Sequence, residues 1–207
     1  MISYAGSIPA DYTIKMKMKF NKVRELIIFD FDETLLYTNS RVIVTHENGK
    51  MLHLSPSEYA KYKPLQKDVF DYNEFQDLGK DNERVIGVTE FFKNRFTPYL
   101  KSGKNIIILT ARQSKQPMID FFYDYLNILS EENTEYKFTK NQKRNIIFIP
   151  LGNSDPNEKK EFISNSIKKY KLDLIEFYDD SDINIEAVEE LKLEFPLVKI
   201  KTKLIKY

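Results

Sequence analysis

Two aspartates stand two residues apart directly after a short apolar run. The run is residues 26–29, and Asp30 and Asp32 follow it, with Thr34 two residues further on. In extended backbone, residues i and i+2 point to the same side, so both carboxylates can face one site. Two like charges that close are costly unless a cation or a substrate compensates them. The spacing therefore indicates a site for a cation or a substrate, and a turn with a helix cap is the competing interpretation.

Other apolar runs lead into polar residues in the same way. Residues 106–109, 146–149 and 174–178 are followed by hydroxyl, guanidinium, carboxylate, amide and ammonium groups, on Thr110, Arg112, Lys159, Lys160, Asp179, Asp180 and Asn184. In an open α/β sheet, ligands bind outside the carboxyl ends of the strands. Oxygen ligands without Cys or clustered His select Mg²⁺, and Mg²⁺ with lysine is a phosphate-handling combination. The sequence thus predicts phosphate chemistry at one rim of a sheet, which weakens the helix-cap interpretation.

The composition limits the possible chemistry and partners. The chain has 207 residues, with 32 Lys and Arg against 31 Asp and Glu, and no Cys. The missing thiols exclude disulfides, thiolate metal sites and cysteine nucleophiles. A net charge of +1 excludes a uniformly basic nucleic-acid binder. The apolar runs are far too short to span a membrane, and residues 1–13 lack the apolar core of a signal peptide. We therefore expect a cytoplasmic protein with no membrane partner.

The apolar runs are typical of strands that are buried on both faces. Each is rich in Ile and shows no alternation of polar and apolar residues, as expected in a parallel sheet. Residues 116–129, 157–170 and 183–193 repeat their apolar residues at helical spacing. We predict an α/β protein with a doubly wound, Rossmann-like parallel sheet. It is expected to form one domain, residues 1–207, with a core made of residues 20–36 and 87–207.

Residues 37–86 interrupt this pattern and are predicted to be an insertion after the first strand. Two β-like segments flank Asn48 and Gly49, a pair that favours a hairpin turn. Ser55 begins a helix-start signature, with a proline next and a glutamate three residues on. We expect the insertion, a hairpin plus a helix, to act as a small flap or cap over the site. Residues 89–101 are predicted to form a helix that a proline could kink.

Two segments alternate lysine with apolar residues, residues 14–20 and residues 198–204. Such a period of two gives a strand one apolar face and one basic face. One interpretation is a pair of edge strands on which lysine prevents edge-to-edge aggregation. The other is a surface that contacts nucleic-acid phosphates.

The candidate site residues resemble the motifs of the haloacid dehalogenase (HAD) superfamily of phosphohydrolases. Four motifs occur in the family's order, at residues 30–34, at Thr110, at Lys159 or Lys160, and at Asp179 with Asp180. The resemblance extends over about residues 26–193. The chain is also similar to small phage and bacterial members that resemble polynucleotide 3′-phosphatase domains. Its insertion stands where the family carries its flap and cap.

This resemblance implies a phosphomonoester hydrolase in which Asp30 attacks phosphorus and forms an aspartyl-phosphate. Asp32 would act as acid and then as base. Thr110 and a lysine, Lys159 rather than Lys160, would bind the transferring phosphoryl group. Mg²⁺ would be held by Asp30, the main-chain carbonyl of Asp32, and Asp180, with support from Asp179 or Asn184. Substrate contacts are expected from Thr34, Ala111, Arg112 and Lys160. Arg112 could instead pair with an acidic neighbour.

The resemblance also implies the class of substrate, which is a nucleotide or a phosphorylated nucleic-acid end. Two alternatives from other classes stay open. One is a protein that binds a phosphorylated ligand or nucleotide with little turnover. The other is a nucleic-acid interaction module that uses the lysines of the alternating segments, among them Lys199, Lys201 and Lys203.

Overall fold

A computed structural model describes residues 23–78, 83–132 and 137–206. The strands in these ranges are β1 (Glu25–Phe29), β2 (Leu36–Thr38), β3 (Val42–Thr45), β4 (Met51–Leu54), β5 (Val69–Asp71), β6 (Val85–Val88), β7 (Ile106–Thr110), β8 (Ile146–Pro150), β9 (Leu174–Asp179) and β10 (Lys199–Leu204). The α-helices are α1 (Pro56–Lys61), α2 (Thr97–Lys101), α3 (Gln116–Glu132), α4 (Lys140–Lys143), α5 (Pro156–Tyr170), α6 (Asp182–Glu189) and α7 (Leu191–Glu194). The lysine-alternating segment 14–20 lies outside the described residues.

Five strands form one parallel sheet in the order β10-β9-β1-β7-β8. The four apolar runs supply β1, β7, β8 and β9, and the predicted helices correspond to α3, to α5, and to α6 with α7. The predicted doubly wound α/β fold is therefore confirmed. From β1 the chain builds the sheet outward through β7 and β8, then returns to build β9 and β10 on the other side. The switch point between β1 and β9 is where such sheets place their ligands.

The central sheet is covered on both faces. Alternate residues of β1 enter different cores: Ile27 and Phe29 pack on the α3 side, and Leu26 and Ile28 pack on the side of α5 and α6. All four side chains are fully buried. Because every residue of the run is directed into a core, the run shows no alternation, which is why it could be recognised as a strand of a parallel sheet.

The chain between β1 and β7 forms two small antiparallel sheets, one of β2 with β6 and one in the order β4-β3-β5. The predicted hairpin is β3 with β4, and Gly49 in its turn has φ +79°, which favours glycine. The predicted start of α1 is also confirmed, since Ser55 and Glu58 form a capping box. Strands β2, β5 and β6 were not predicted, because each is short and, unlike β3 and β4, none is joined to its partner through a hairpin-turn signal.

The helix predicted over residues 89–101 is present but irregular. A π-helix, Phe92–Phe96, continues directly into α2. The hydroxyl of Thr89 accepts a hydrogen bond of 3.0 Å from the backbone N–H of Phe92, the first residue of the π-helix. Pro98 lies in the first turn of α2, where a proline needs no N–H donor. The helix is therefore irregular because of a wide turn before Pro98, whereas the sequence suggested a kink at the proline itself.

Strand β10 is the second lysine-alternating segment. Among the strands of the described residues, it pairs only with β9, at one edge of the central sheet. Lys199, Lys201 and Lys203 are exposed and Ile200 is buried, as the alternation predicted. The edge-strand position is thus confirmed for this segment. Lys201 pairs with Glu176 of β9 at 2.6 Å. Within the described ranges, no helix has both the length and the apolar character needed to cross a membrane.

Candidate active site

The carboxyl ends of β1 and β9 bring three carboxylates together. Asp30 follows β1, Asp179 ends β9, and Asp180 comes next. One carboxylate oxygen from each of the three lies within 4.8 Å of the others. Strands β1 and β9 pair along their whole length, with Phe29 beside Tyr178, and this register sets the two ends level. The sheet therefore assembles residues that are about 150 positions apart in sequence into one acidic cluster.

Lys159 lies inside this cluster. Its Nζ donates to Asp30 Oδ1 at 2.6 Å and to Asp179 Oδ2 at 2.7 Å. The lysine is only 4% exposed. It is in the first turns of α5, and Ile163 and Ile167, four and eight residues later, bury the same face of that helix against the sheet. A buried ammonium is tolerated here because two carboxylates pair with it.

The cluster contains three carboxyl groups and one ammonium group. Burial raises the pKa of Asp30 well above its usual range, although the ammonium of Lys159 opposes this. Burial, together with the neighbouring Asp179, raises the pKa of Asp180 to about 7. The pKa of Lys159 is raised, because its two carboxylate partners outweigh the opposing effect of burial. A further cation would relieve the repulsion among the acids.

Asp179 is oriented by groups from the turn that follows it. Its Oδ1 accepts hydrogen bonds of 2.9 Å from the backbone N–H of Ser181 and from the amide of Asn184, and its Oδ2 accepts from Lys159. Asp180 has a longer contact, 3.5 Å from the hydroxyl of Thr34. Asn184 thus contacts Asp179. Compared with Asp179, Asp180 has fewer short hydrogen bonds to the protein.

The donor set fits a hard divalent cation such as Mg²⁺. All the side chains that could hold it offer oxygen: Asp30, Asp180 and, in support, Asp179. The main-chain carbonyl of Asp32 was also predicted as a ligand. Carboxylate oxygens without Cys or His are the ligands that Mg²⁺ prefers. The excess of carboxyl groups over ammonium groups in the cluster points the same way.

Asp32 belongs to a separate part of the site, held by Arg112. The guanidinium donates from Nε to Oδ2 at 2.9 Å and from Nη2 to Oδ1 at 2.6 Å, and the hydroxyl of Thr38 donates to Oδ1 at 2.9 Å. The sequence left open whether Arg112 contacts a substrate or an acidic neighbour. In this structure its partner is the acidic neighbour.

Arg112 also joins the core to the segment between β1 and β7. Its Nη1 donates to the main-chain carbonyls of Asp77 at 3.1 Å and Phe75 at 3.4 Å. The guanidinium lies over the rings of Phe31 and Phe75, with 5.4 and 5.3 Å to the ring centres. The residue is 2% exposed. One buried cation therefore fixes both Asp32 and part of the insertion.

A tight turn carries the chain from Asp32 to Thr34. Glu33, at its centre, has φ +57°, a left-handed conformation that is strained for glutamate. The turn is held by a hydrogen bond from the N–H of Glu33 to the carbonyl of Leu36, 2.8 Å, and by one from the hydroxyl of Thr89 to the carbonyl of Thr34, 2.9 Å. Thr34 is fully buried. The turn is what places Thr34 beside Asp180.

Thr110 ends β7, the neighbour of β1 in the sheet. Its hydroxyl oxygen accepts a hydrogen bond of 3.2 Å from the backbone N–H of Arg112, and its carbonyl accepts one of 2.8 Å from Leu151. It is buried, and Ala111, next in sequence, is half-buried. Thr110 therefore lies at the same edge of the sheet as Asp30.

Lys160 is not part of the cluster. Its ammonium pairs with Glu190, at the end of α6. Of the two lysines that the sequence offered, the structure brings Lys159 to Asp30 and directs Lys160 to a neighbouring helix. The identity of the clustered lysine had a sequence signal, because Lys159, Ile163 and Ile167 share one helical face at spacing of four.

Several contacts of the site were not predicted. The hydroxyls of Thr38 and Ser40 lie against Asp32 and Arg112, the second at 3.4 Å from Nη2. The carbonyls of Phe75 and Asp77 were missed as well. Nothing in the spacing of these residues distinguishes them, since their positions depend on how β2 and the chain before β6 pack against Arg112.

The fold and the site thus define an α/β protein with a buried carboxylate and lysine cluster at the switch point of its sheet. No protein-family model matches the chain, and no curated protein matches it. Among solved structures, it is similar to the HAD domain of effector protein Lem4 from Legionella pneumophila, determined as an inactive mutant. The two chains are 19% identical with a TM-score of 0.47, and the match covers 89% of this chain and 87% of that one.

Proposed function

We propose that this chain is a Mg²⁺-dependent phosphomonoester hydrolase of the HAD type, with Asp30 as its nucleophile. The observation that carries the proposal is the pair of short bonds from buried Lys159 to Asp30 and Asp179, at 2.6 and 2.7 Å. Phosphoryl transfer needs a nucleophile and fixed positive charge within reach of the same phosphate oxygens. The contact between Asp30 and Lys159 supplies both at the carboxyl end of the central strand.

In the proposed reaction, a carboxylate oxygen of Asp30 attacks phosphorus and the bond to the leaving oxygen breaks. Asp32 gives its proton to that oxygen, so the product leaves as an alcohol. Water then attacks the aspartyl-phosphate while Asp32 takes back a proton, which releases phosphate and restores Asp30. A covalent intermediate of this kind splits one difficult step into two easier ones, and the acid–base help is worth roughly 10²–10⁴-fold.

Thr110 and Lys159 are proposed to bind the transferring phosphoryl group. The backbone N–H of Arg112 occupies a lone pair of the Thr110 hydroxyl, which leaves the hydroxyl proton to be donated to a phosphate oxygen. Lys159 would keep Asp30 oriented and neutralise charge on the phosphoryl oxygens. Thr34, which lies beside Asp180, and Ala111, which follows Thr110, remain proposed substrate contacts. Lys160 has less support in that role because Glu190 pairs with it.

Mg²⁺ is proposed to be held by Asp30, Asp180 and the main-chain carbonyl of Asp32, with Asp179 in support. When bound, it would offset the repulsion between the carboxylates and an incoming phosphate. Asp179 is better suited to a supporting role, since Lys159, Ser181 and Asn184 already occupy its oxygens.

We further propose that Arg112 positions Asp32, and that the substrate is a nucleotide or a phosphorylated nucleic-acid end. The two-bond contact with Arg112 supports the first point. The second is supported by the resemblance of the motifs and by the exposed Lys199 and Lys203 on β10, the strand beside β9. A flap or cap role for residues 37–86 and a cytoplasmic location belong to the same proposal.

The test is phosphate release from p-nitrophenyl phosphate and from a panel of nucleotides by the purified full chain. We expect release that requires Mg²⁺, stops on adding EDTA, and falls to background in Asp30→Asn. Asn184→Asp is a useful companion variant, because it replaces the amide that donates to Asp179 with a further carboxylate. Release at an unchanged rate by Asp30→Asn, or none by the unaltered chain, would contradict the proposal.

One observation favours the alternative of a phosphate-binding protein with little turnover. Both oxygens of Asp32 are engaged by Arg112, so the proposed proton donor is itself part of an ion pair. In that case, a nucleotide or phosphorylated metabolite would bind tightly in the presence of Mg²⁺, and no product would appear over hours. Calorimetry alongside the phosphate assay separates the two functions.

A further inference from the structure

A cavity lies on the side of the molecule that carries α3 and α4. It has a volume of about 350 Å³ and is lined by two aromatic and three basic residues, Tyr123, Phe138, Lys140, Lys143 and Arg144. Small-molecule sites enclose roughly 300–1,000 Å³, so this cavity is of a size for one small ligand or one unit of a larger one. In the part of the chain that the structure describes, no acidic side chain lines it.

This cavity is remote from the carboxylate cluster. Helix α4 is anchored beside the beginnings of β7 and β8, because the amide of Gln142 donates to the carbonyl of Lys101 at 2.8 Å and the amide of Asn145 donates to that of Gly103 at 3.0 Å. Those residues precede the two strands, whereas the cluster follows the strands at their carboxyl ends. A ligand in this cavity would therefore not belong to the proposed hydrolase site.

The basic residues of the cavity have no acidic partner among the residues that the structure describes. Within residues 23–78, 83–132 and 137–206, none of Lys140, Lys143 and Arg144 forms an ion pair. Lys143 donates to the side-chain oxygen of Asn127, which is neutral. Many other lysines and arginines of this nearly neutral chain are paired with acids. Three positive charges around one cavity favour an anionic ligand.

The aromatic residues add a second requirement on the ligand. Tyr123 and Phe138 are half-buried and line the cavity together with the cations. An aromatic side chain next to positive charge suits a ligand that has both a flat aromatic ring and a phosphate, because bases stack on such rings while lysine and arginine neutralise the phosphate. A plain inorganic anion would leave the rings unused.

We propose that this cavity binds one nucleotide unit, with its base against Tyr123 or Phe138 and its phosphate against Lys140, Lys143 and Arg144. The unit is either a free nucleotide or one residue of a single-stranded nucleic acid. The proposal goes beyond the hydrolase function and does not depend on it, because the cavity and the carboxylate cluster share no residue.

The experiment measures binding by the full chain in EDTA, with two probes that carry no phosphate monoester. One is a fluorescein-labelled single-stranded oligonucleotide without terminal phosphates, followed by anisotropy. The other is a 3′,5′-cyclic mononucleotide, followed by calorimetry. We expect either Tyr123→Ala or Phe138→Ala, whichever removes the ring that stacks on the base, to weaken binding by roughly 5- to 150-fold, the range for loss of one stacked base. Lys140→Ala with Arg144→Ala should lower the salt dependence of oligonucleotide binding by about 0.7 in slope per lost charge.

Lys169→Ala with Lys171→Ala is the matched control, since it removes two exposed lysines from the end of α5 and should leave binding unchanged. Binding of both probes indicates a nucleotide site, and binding of the oligonucleotide alone indicates a strand-binding site. Lys140 and Arg144 are exposed, so their double variant should fold normally, as circular dichroism would verify. The proposal is overturned if neither probe binds, or if the control and cavity double variants weaken binding equally.

Discussion

Arg112 donates two parallel hydrogen bonds to the two carboxylate oxygens of Asp32, at 2.9 and 2.6 Å, and the same guanidinium donates to the carbonyl of Asp77 at 3.1 Å. The planar, forked shape of arginine makes this two-bond contact possible, and lysine cannot reproduce it. The arrangement around Asp32 is therefore shared between the core and the insertion.

Replacing Arg112 by lysine keeps the charge and removes the forked contact. We expect kcat for phosphate release to fall by roughly 10- to 100-fold, because a small displacement of a reacting group has an effect of that order, while KM changes less. Steady-state kinetics on p-nitrophenyl phosphate measures both. Arg95→Lys, at an exposed position of the π-helix, is the control. An unchanged kcat in Arg112→Lys would argue against a positioning role.

Lys159 and Lys160 are adjacent in sequence and should respond very differently to replacement by methionine. Lys159→Met leaves Asp30 and Asp179 buried without their cation, so the free energy of unfolding should fall by about 3–5 kcal/mol and phosphate release should stop. Lys160→Met removes a partly exposed pair with Glu190 and should change stability by less than about 1 kcal/mol. Urea denaturation at pH 7 gives both values. Equal effects of the two substitutions would show that the cluster is not organised around Lys159.

Mg²⁺ should stabilise the folded chain, because a ligand that binds only the folded state raises the free energy of unfolding. At a Mg²⁺ concentration 100 times Kd, the gain is about 2.7 kcal/mol. Thermal unfolding with added MgCl₂ measures it, and NaCl at the same ionic strength is the control. Asp180→Asn should abolish the shift. A Tm that rises equally with both salts would indicate screening of charge instead of a metal site.

The hydrogen bonds of Glu176 predict that the folded chain loses part of its stability in acid. Its carboxylate accepts hydrogen bonds from Lys201 at 2.6 Å, from Tyr178 at 2.9 Å and from Tyr99, and together these lower its pKa although burial opposes them. A pKa lower in the folded state stabilises the fold above the unfolded-state pKa, near 4.5, and this contribution disappears as the pH falls through the folded-state pKa.

Glu176→Gln should therefore be less stable than the unaltered chain at pH 7, and the difference should shrink below pH 4.5. Urea unfolding at a series of pH values from neutral to acidic would show this. Glu161→Gln, at an exposed position of α5, is the comparison and should follow the unaltered chain throughout. A stability difference that does not change with pH would mean that Glu176→Gln acts through altered packing and not through the loss of the carboxylate charge.

The central sheet could be predicted because each of its first four strands is buried on both faces and so appears as an unbroken apolar run. The carboxylates at the ends of β1 and β9 followed from the same logic, since parallel strands share one ligand-binding edge. The short strands β2 and β6 could not be predicted. They pair with each other across about 50 residues of chain, and three or four residues carry too little periodicity to indicate a strand.

Spacing also could not decide the partner of Arg112. Its choice between a substrate and Asp32 depends on the turn through Glu33 and on the carbonyls of Phe75 and Asp77, none of which the local sequence around Arg112 encodes. In contrast, the sequence could identify Lys159 as the lysine of the cluster, because it shares one helical face with Ile163 and Ile167.

The bond of 2.6 Å between Lys159 and Asp30 has a mechanical consequence. Asp30 directly follows Phe29, which packs in the core on the α3 side, whereas Lys159 is carried by a helix that packs in the other core. The sheet separates the two cores. The packing of one core sets the position of Asp30, and the packing of the other sets the position of Lys159. A sliding of α5 along the sheet by a fraction of an ångström would lengthen it. Volume changes deep in either core should therefore alter the candidate nucleophile without any substitution near it.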